Sequence, residues 1–366
     1  MNKSLRLCGV LMIAAVQTAC GSTSPSQTLG EPVTLVEESF GRILIIGMDG
    51  TRAEALAIAN TPNLDAISSL GSRDINAITG DVSLSGPGWA SMLTGVWCDK
   101  HNVIDNDASW SQSSFDSYPH FITRLETAAP SRHTFSVSHW DPINDEILCA
   151  DERDDNCGGA DQVINVATDE AVRDEVVEVL TNGNPDVVFM QFDDIDHAGH
   201  GDPPTDPGGF CPFTGGDSAD GDHDGACTAL NFNQDYLDVV ETTDGYIGDI
   251  FAALTNRSNY AEENWIIIVS PDHGGGGQVI NQHGFPHDQD RRTFLIVAGN
   301  AASTFPAGQQ MKMVDIAATA LFHLGVTINP SWNLDGQPVG ITGVPAYQSN
   351  AIPSCFNQTS GLGDGR

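Results

Sequence analysis

Three apolar runs leave few folds open to this 366-residue chain. Arg42–Met48 (RILIIGM), Asp186–Phe192 (DVVFMQF) and Ile266–Val269, inside WIIIVSPDHGGGG, lack the alternation of a half-wet strand. Each therefore reads as a strand covered on both faces. Thr134–His139 and Thr293–Ala298 read as further strands. Segments of helical period separate them. One helix begins at Pro62, with Thr61 as its N-cap, and stops at Gly71. Others are expected over Val163–Leu180, Asn231–Leu254 and Val314–Leu324. The alternation predicts an α/β fold: a doubly wound, mostly parallel sheet flanked by helices, with its site at the carboxyl edge. No internal repeat, dinucleotide glycine fingerprint or Walker loop is present.

The ends of those strands carry the chemistry. The first stops at Asp49-Gly50, and the third at Asp272-His273 followed by four glycines. The second runs into Asp193-Asp194-Ile195-Asp196-His197-Ala198-Gly199-His200. Asp-Gly and Asp-His-Gly are also ordinary turn chemistry, so neither triplet is decisive alone. Their recurrence at three strand exits points to a site. Asp196 and His200, four positions apart, can face one ion from a tight loop or a helical turn. With His283, the exits supply Asp49, Asp196, His200, Asp272, His273 and His283. Mixed Asp and His ligands without thiolate suit zinc, with manganese or iron as other occupants. Six such groups exceed one tetrahedral site and suit two neighbouring ions, the arrangement that clamps an in-line displacement.

A hydroxyl is available nearby. Ser83 and Ser85 lead into Gly88–Leu93, which can be helical. At a helix N-terminus a hydroxyl sits among unpaired N–H groups that favour an anionic substrate. Each serine could be a nucleophile or a simple N-cap. Cys98–Asn106 follows as an expected loop carrying His101 and Asn106.

Charge narrows the partners. Fifteen Lys+Arg against 49 Asp+Glu give a formal charge of −34, which repels duplex nucleic acid and anionic membranes. An anionic substrate would take its countercharge from the metals. At the start, Lys3 and Arg6 precede Leu7–Val16, too short to span a bilayer but suited to a signal-peptide core. Gln17-Thr18-Ala19-Cys20 resembles a bacterial lipoprotein signal, with Gln17 where a Leu-like residue is usual. The expected order is a signal peptide over 1–19, a tether over 20–40, one α/β domain over 41–345 and a tail over 346–366. Export follows, to the periplasm, the outer membrane through a lipid anchor at Cys20, or the exterior. Six further cysteines in an exported chain suggest disulfides, with Cys149–Cys157 and Cys211–Cys227 as the local pairs and Cys98–Cys355 remaining. The acidic insert Asp202–Cys227 contains Asp217–Asp224, spaced like a calcium loop but without the bidentate Glu of an EF-hand. It is either a calcium site or a solvated acidic loop.

The order of these motifs resembles the alkaline phosphatase superfamily, and within it the type I phosphodiesterase/nucleotide pyrophosphatase branch. The resemblance runs from Arg42 to about Pro338. It rests on Asp49-Gly50, on TPNL at Thr61–Leu64, and on SGPGWASMLTG at Ser85–Gly95. HNVIDN at His101–Asn106, DHAGH at Asp196–His200, Asp272-His273-Gly274 and DGQPV at Asp335–Val339 complete it. It implies an alkaline-phosphatase-like fold and selects Ser85 as the nucleophile of a covalent phosphoryl-enzyme, with Asn106 holding the transferred group's oxygen. One zinc would take Asp196, His200 and His283, with His287 as the rival third ligand. The other would take Asp49, Asp272, His273 and the Ser85 oxygen. A small phosphate ester is the implied substrate. Gly88-Trp89 stands where many nucleotide pyrophosphatases have Asn-His, and Trp89 where sulfatases need Arg. Nucleotide preference is thereby in question, and sulfatase activity disfavoured. Two alternatives stay open: a phosphomonoesterase or phosphonate hydrolase on the same scaffold, and a non-catalytic surface lipoprotein that binds cations.

Overall fold

The computed structural model describes residues 41–149, 157–201, 209, 232–277 and 281–356. The calcium-like loop, the Cys211–Cys227 pair, the rest of the acidic insert apart from residue 209, and everything before residue 41 lie outside them. In chain order the described regular elements begin β1 (Arg42–Met48), α1 (Pro62–Ser68), β2 (Gly71–Ile78), α2 (Ser85–Thr94), α3 (Cys98–His101) and α4 (Phe121–Ala128). Then come β3 (Thr134–Ser138), β4 (Gln162–Asn165), α5 (Asp169–Asn182), β5 (Val187–Phe192), α6 (Asp194–His200) and α7 (Gln234–Thr255). The last are β6 (Trp265–Ser270), α8 (Asp288–Arg291), β7 (Arg292–Gly299) and α9 (Asp315–His323).

The strands form one sheet in the order β2-β7-β6-β1-β5-β3-β4. β6, β1, β5, β3 and β4 pair in parallel, whereas β7 is antiparallel to both β6 and β2. At the centre Ile43 of β1 stands level with Val187 of β5 and Ile266 of β6. Side chains leave a strand on alternate faces. Ile43, Ile45, Phe189, Ile266 and Ile268 enter a core with Trp89 and Leu93 of α2 and Ile316 and Leu321 of α9. Leu44, Ile46, Met190, Ile267 and Val269 enter another with Leu64 of α1, Val176 of α5 and Val240 of α7. Both faces are dry, which is why these strands show no alternation.

The sequence reading fails where a strand is only half covered. β2 (GSRDINAI) is an edge strand with a register break between Asp74 and Ala77, and only Ala77 along it is fully buried. Ser72, Arg73 and Asp74 are half-buried and Ile75 is exposed, so no hydrophobic pattern marks it. The helix expected over Val163–Leu180 is divided. Gln162–Asn165 pairs with β3 as the other edge strand, and α5 starts at Asp169 behind Thr168, whose hydroxyl accepts from the Ala171 N–H at 3.1 Å. A side-chain cap sets a helix start more sharply than periodicity does. The expected loop after Trp97 opens with the short helix α3. No helix among the described residues is long and apolar enough to cross a membrane.

Two of the expected disulfides join Cys98 to Cys355 and Cys149 to Cys157. The first ties Cys355 to the start of α3, beside the loop that enters α2. Asp81 in that loop accepts from the Cys355 N–H at 3.0 Å and the Phe356 N–H at 3.3 Å. Val82, Leu84, Cys98 and Cys355 form a small core around the bridge. Cross-linking positions far apart in sequence removes entropy from the unfolded chain. Replacing both partners, Cys98→Ala with Cys355→Ala, is expected to cost about 2–4 kcal/mol, read as a lower urea midpoint. An unchanged midpoint would show that the bridge does not constrain the unfolded chain.

Candidate active site

Because β5, β1 and β6 are neighbours and run the same way, their carboxyl ends open on one edge. Asp49 follows β1, held by its N–H donating to the Phe192 carbonyl at 2.9 Å. α6 starts two residues beyond β5 and carries Asp196 and His200 on one face, a full turn apart. Pro271 separates β6 from Asp272-His273. The four glycines then follow a tight path: a Cβ on Gly274 would stand 2.3 Å from the Gln289 carbonyl oxygen. Asp290 fixes this loop, its carbonyl accepting from the Gly274 N–H at 2.8 Å and its Oδ1 from the Gly277 N–H at 2.7 Å. Burial pushes the Asp290 carboxyl up to about 7.

The predicted ligands converge. Asp49, Asp272 and His273 bring ligand atoms within 4.8 Å of one another, and so do Asp196, His273 and His283. His273 Nε2 lies 3.5 Å from Asp49 Oδ1 and 3.3 Å from Asp272 Oδ2. His200 Nε2 lies 3.3 Å from Asp196 Oδ2 and 3.0 Å from His283 Nε2. The His273 and His283 rings stack at 3.8 Å. All three carboxylates are buried, and each keeps one oxygen without a hydrogen-bond partner: Asp49 Oδ1, Asp196 Oδ1 and Asp272 Oδ2.

The imidazoles are set the same way. Nδ1 of His200 faces the Asn281 carbonyl at 2.7 Å, Nδ1 of His273 the Gly274 carbonyl at 2.7 Å, and Nδ1 of His283 the Ser83 carbonyl at 2.9 Å. A carbonyl only accepts, so each Nδ1 carries a proton, and in the neutral ring Nε2 is left with its lone pair directed inward. This is the arrangement that metal-binding histidines use. Burial and the neighbouring His273 push His283 well below the ordinary imidazole range, which keeps it neutral. Burial, with repulsion from Asp272, holds Asp49 well above the usual carboxylate range, and burial also raises Asp272. Partnerless carboxylate oxygens and inward lone pairs at such separations fit divalent cations.

Ser85 is the first residue of α2, and its Oγ is 3.3 Å from His273 Nε2. Neither serine caps the helix: the N-cap is Leu84, without a side-chain bond, and Ser83 Oγ donates to the Phe285 carbonyl at 2.9 Å. Asn106 is the outside partner of this helix end, its Oδ1 accepting from the Gly86 N–H at 2.8 Å. His287 stands apart from the cluster and caps α8, its ring accepting from the Gln289 N–H. His101 is buried against Ser91 Oγ at 3.0 Å. Sequence reasoning missed three supporting residues. Asp169 accepts from the Asp193 and Asp194 N–H groups at 2.8 and 3.1 Å and so caps α6 from α5. Asp290 and Gln191 are the others; the latter is a polar residue inside a run buried on both faces, which is the signal that marks it.

Fold and site together define a hydrolase of the alkaline phosphatase superfamily. The model of one family in it, type I phosphodiesterase / nucleotide pyrophosphatase, matches residues 43–293, and the chain belongs to that family. Murine ectonucleotide pyrophosphatase / phosphodiesterase 5, solved as an inactive variant in complex with AMP, is similar at 13% identity. That alignment covers 79% of this chain and 96% of that one, with a TM-score of 0.55. A 2-O GAG sulfatase aligns at 13% identity and TM-score 0.60 over 82% of this chain and 73% of its own. A protein solved with its substrate D-glucosamine-2-N,6-O-disulfate aligns at 16% and 0.57 over 86% and 85%. At these identities the structures share the fold. No curated protein sequence matches the chain.

Asp49 yields a prediction about stability. Its folded pKa is raised above 3.8, so the stability it contributes is present at acid pH and lost as pH rises through the raised value. At pH 7–8 the metal-free protein therefore carries a cost that Asp49→Asn removes while leaving an oxygen for the same donors. The metal-free variant is expected to melt at least about 2 °C higher than the metal-free wild type. A lower melting temperature would show that the charge is not under strain.

Proposed function

We propose that the chain is an exported phosphodiesterase that holds two zinc ions and uses Ser85 as its nucleophile. The observation that carries this reading is the set of three buried carboxylates, each with one partnerless oxygen, converging with three inward Nε2 atoms beside the Ser85 hydroxyl. Asp196, His200 and His283 would hold one ion, and Asp49, Asp272, His273 and Ser85 the other. Mixed carboxylate and imidazole donors favour zinc, with manganese or iron as the substitutes to test. When bound, the ions supply the positive charge that a strongly acidic chain must bring to a phosphate ester and to an ionised Ser85.

The chain's own groups do the rest. Ser85 sits at the first position of a helix, where the dipole favours negative charge on its oxygen and on a bound phosphoryl group. Its Oγ would attack phosphorus in line, the leaving oxygen departs, and water then cleaves the Ser85–phosphorus bond. Asn106 has its amide oxygen committed to Gly86, so it offers a substrate oxygen its Nδ2 donor. Sulfate-ester chemistry on this scaffold is disfavoured, because Trp89, at the position of the sulfatase Arg, is buried and its indole N–H turns to Asp49. The signal-like N-terminus and the two disulfides support export.

Zinc-loaded protein offered bis(4-nitrophenyl) phosphate, 4-nitrophenyl phosphate, a phenylphosphonate ester and 4-nitrophenyl sulfate is expected to prefer the diester. Preference for the monoester or the phosphonate would move the assignment to those activities, and hydrolysis of none would leave a cation-binding protein. Ser85→Ala is expected to lower diester turnover about a thousandfold or more with two zincs retained by elemental analysis. Undiminished turnover would remove Ser85 from the mechanism.

A further inference from the structure

Gln191, near the carboxyl end of β5, is buried and stands level with Gly47 of β1 and Ser138 of β3. Its Oε1 accepts from the His139 N–H at 3.1 Å and from the Trp140 N–H at 2.9 Å, beside Ser138 Oγ, which donates to the Trp140 carbonyl at 2.7 Å. Two backbone N–H donors on that oxygen leave the amide one orientation. Its Nε2 must face the other way, and there it meets two carboxylates: Asp49 Oδ2 at 3.0 Å and Asp193 Oδ1 at 2.9 Å. An amide nitrogen has two hydrogens, so both are used.

The two acceptors belong to different halves of the site. Asp49 is among the groups proposed for one ion. Asp193 is the N-cap residue of α6, the helix that carries Asp196 and His200 for the other. Asp49 Oδ2 also accepts from Trp89 Nε1 at 2.8 Å, so this oxygen has two donors while Oδ1 has none. Trp89 reaches it by lying over Gly47, where a Cβ would stand 2.4 Å from the indole.

We infer that Gln191 is a positioning residue shared by both halves of the metal centre, whereas Trp89 positions the Asp49 half alone. Together they occupy one oxygen of Asp49 and leave a single oxygen for a cation. Gln191 also ties that carboxylate to the start of α6, so the two half-sites are set at a fixed separation through one amide. Groups that orient metal ligands from behind typically change metal affinity 10- to 100-fold when removed. The inference rests on the two-ion reading above.

Metal binding tests it without recourse to activity. The metal-free full chain is titrated with Zn2+ against a chromophoric chelator, and urea midpoints of the metal-free proteins establish that each variant folds. Wild type is expected to bind two ions. Trp89→Phe should weaken one by about 10- to 100-fold and leave the other, and Gln191→Met should weaken both by about that factor. Should Gln191→Met not fold, Gln191→Glu serves, since it keeps an acceptor for the two backbone donors and removes the N–H groups; the same double loss is expected. Two ions bound by the Gln191 variant as tightly as by wild type, or the loss of one alone, would overturn the inference and leave the two-ion reading intact. A wild type that binds no zinc would overturn both.

Discussion

Three carboxylates buried at one edge of a parallel sheet dominate this molecule. Asp49, Asp196 and Asp272 are removed from water and each leaves an oxygen unpaired; burial and mutual repulsion raise the cost of ionising Asp49 and Asp272, whereas the facing imidazoles hold Asp196 below the usual carboxylate range. Uncompensated, buried charges such as those of Asp49 and Asp272 cost several kcal/mol each, and a chain that kept them without return would lose stability it can hardly spare. Divalent cations reverse the sign of that cost. Much else near the edge is understood as holding these oxygens and the three facing imidazoles in place. Carbonyls of Ser83, Gly274 and Asn281 set the rings, Asp169 sets α6, and Asp290 sets the glycine loop.

Topology supplies the convergence. The three strands that end in acidic residues are far apart in sequence, yet they are β5, β1 and β6, side by side at the centre of the sheet. A parallel arrangement puts their exits on one edge, and α2 then delivers Ser85 to the same place. The clamp on that loop comes from the other end of the chain, through Cys98–Cys355 and Asp81. The disulfide and the site are thus linked through the segment that carries Ser83, whose carbonyl orients His283, and Ser85.

What the sequence revealed followed burial. β1, β5 and β6 were legible because both faces are covered, which leaves an unbroken apolar run. β2 and β4 were not, because an edge strand needs little apolar surface and its pairing partner is distant in the chain. Asp196 and His200 could be paired by spacing alone, since four positions make one helical turn. His283 and His287 could not be separated that way: the first lies under Ser83 and the second caps α8, and both facts are tertiary. Trp89 was visible only as a departure from a family pattern. Its contact with Asp49 depends on Gly47 forty-two positions earlier in the chain, a space that no local pattern records.

The central claim is that these six side chains, together with Ser85, enclose two cations. Anomalous X-ray scattering at the zinc edge, from crystals of the zinc-loaded protein, tests it most directly. The account predicts two peaks, one among Asp196, His200 and His283, the other among Asp49, Asp272, His273 and Ser85. A single peak, or peaks only at other carboxylates of this acidic chain, would contradict it.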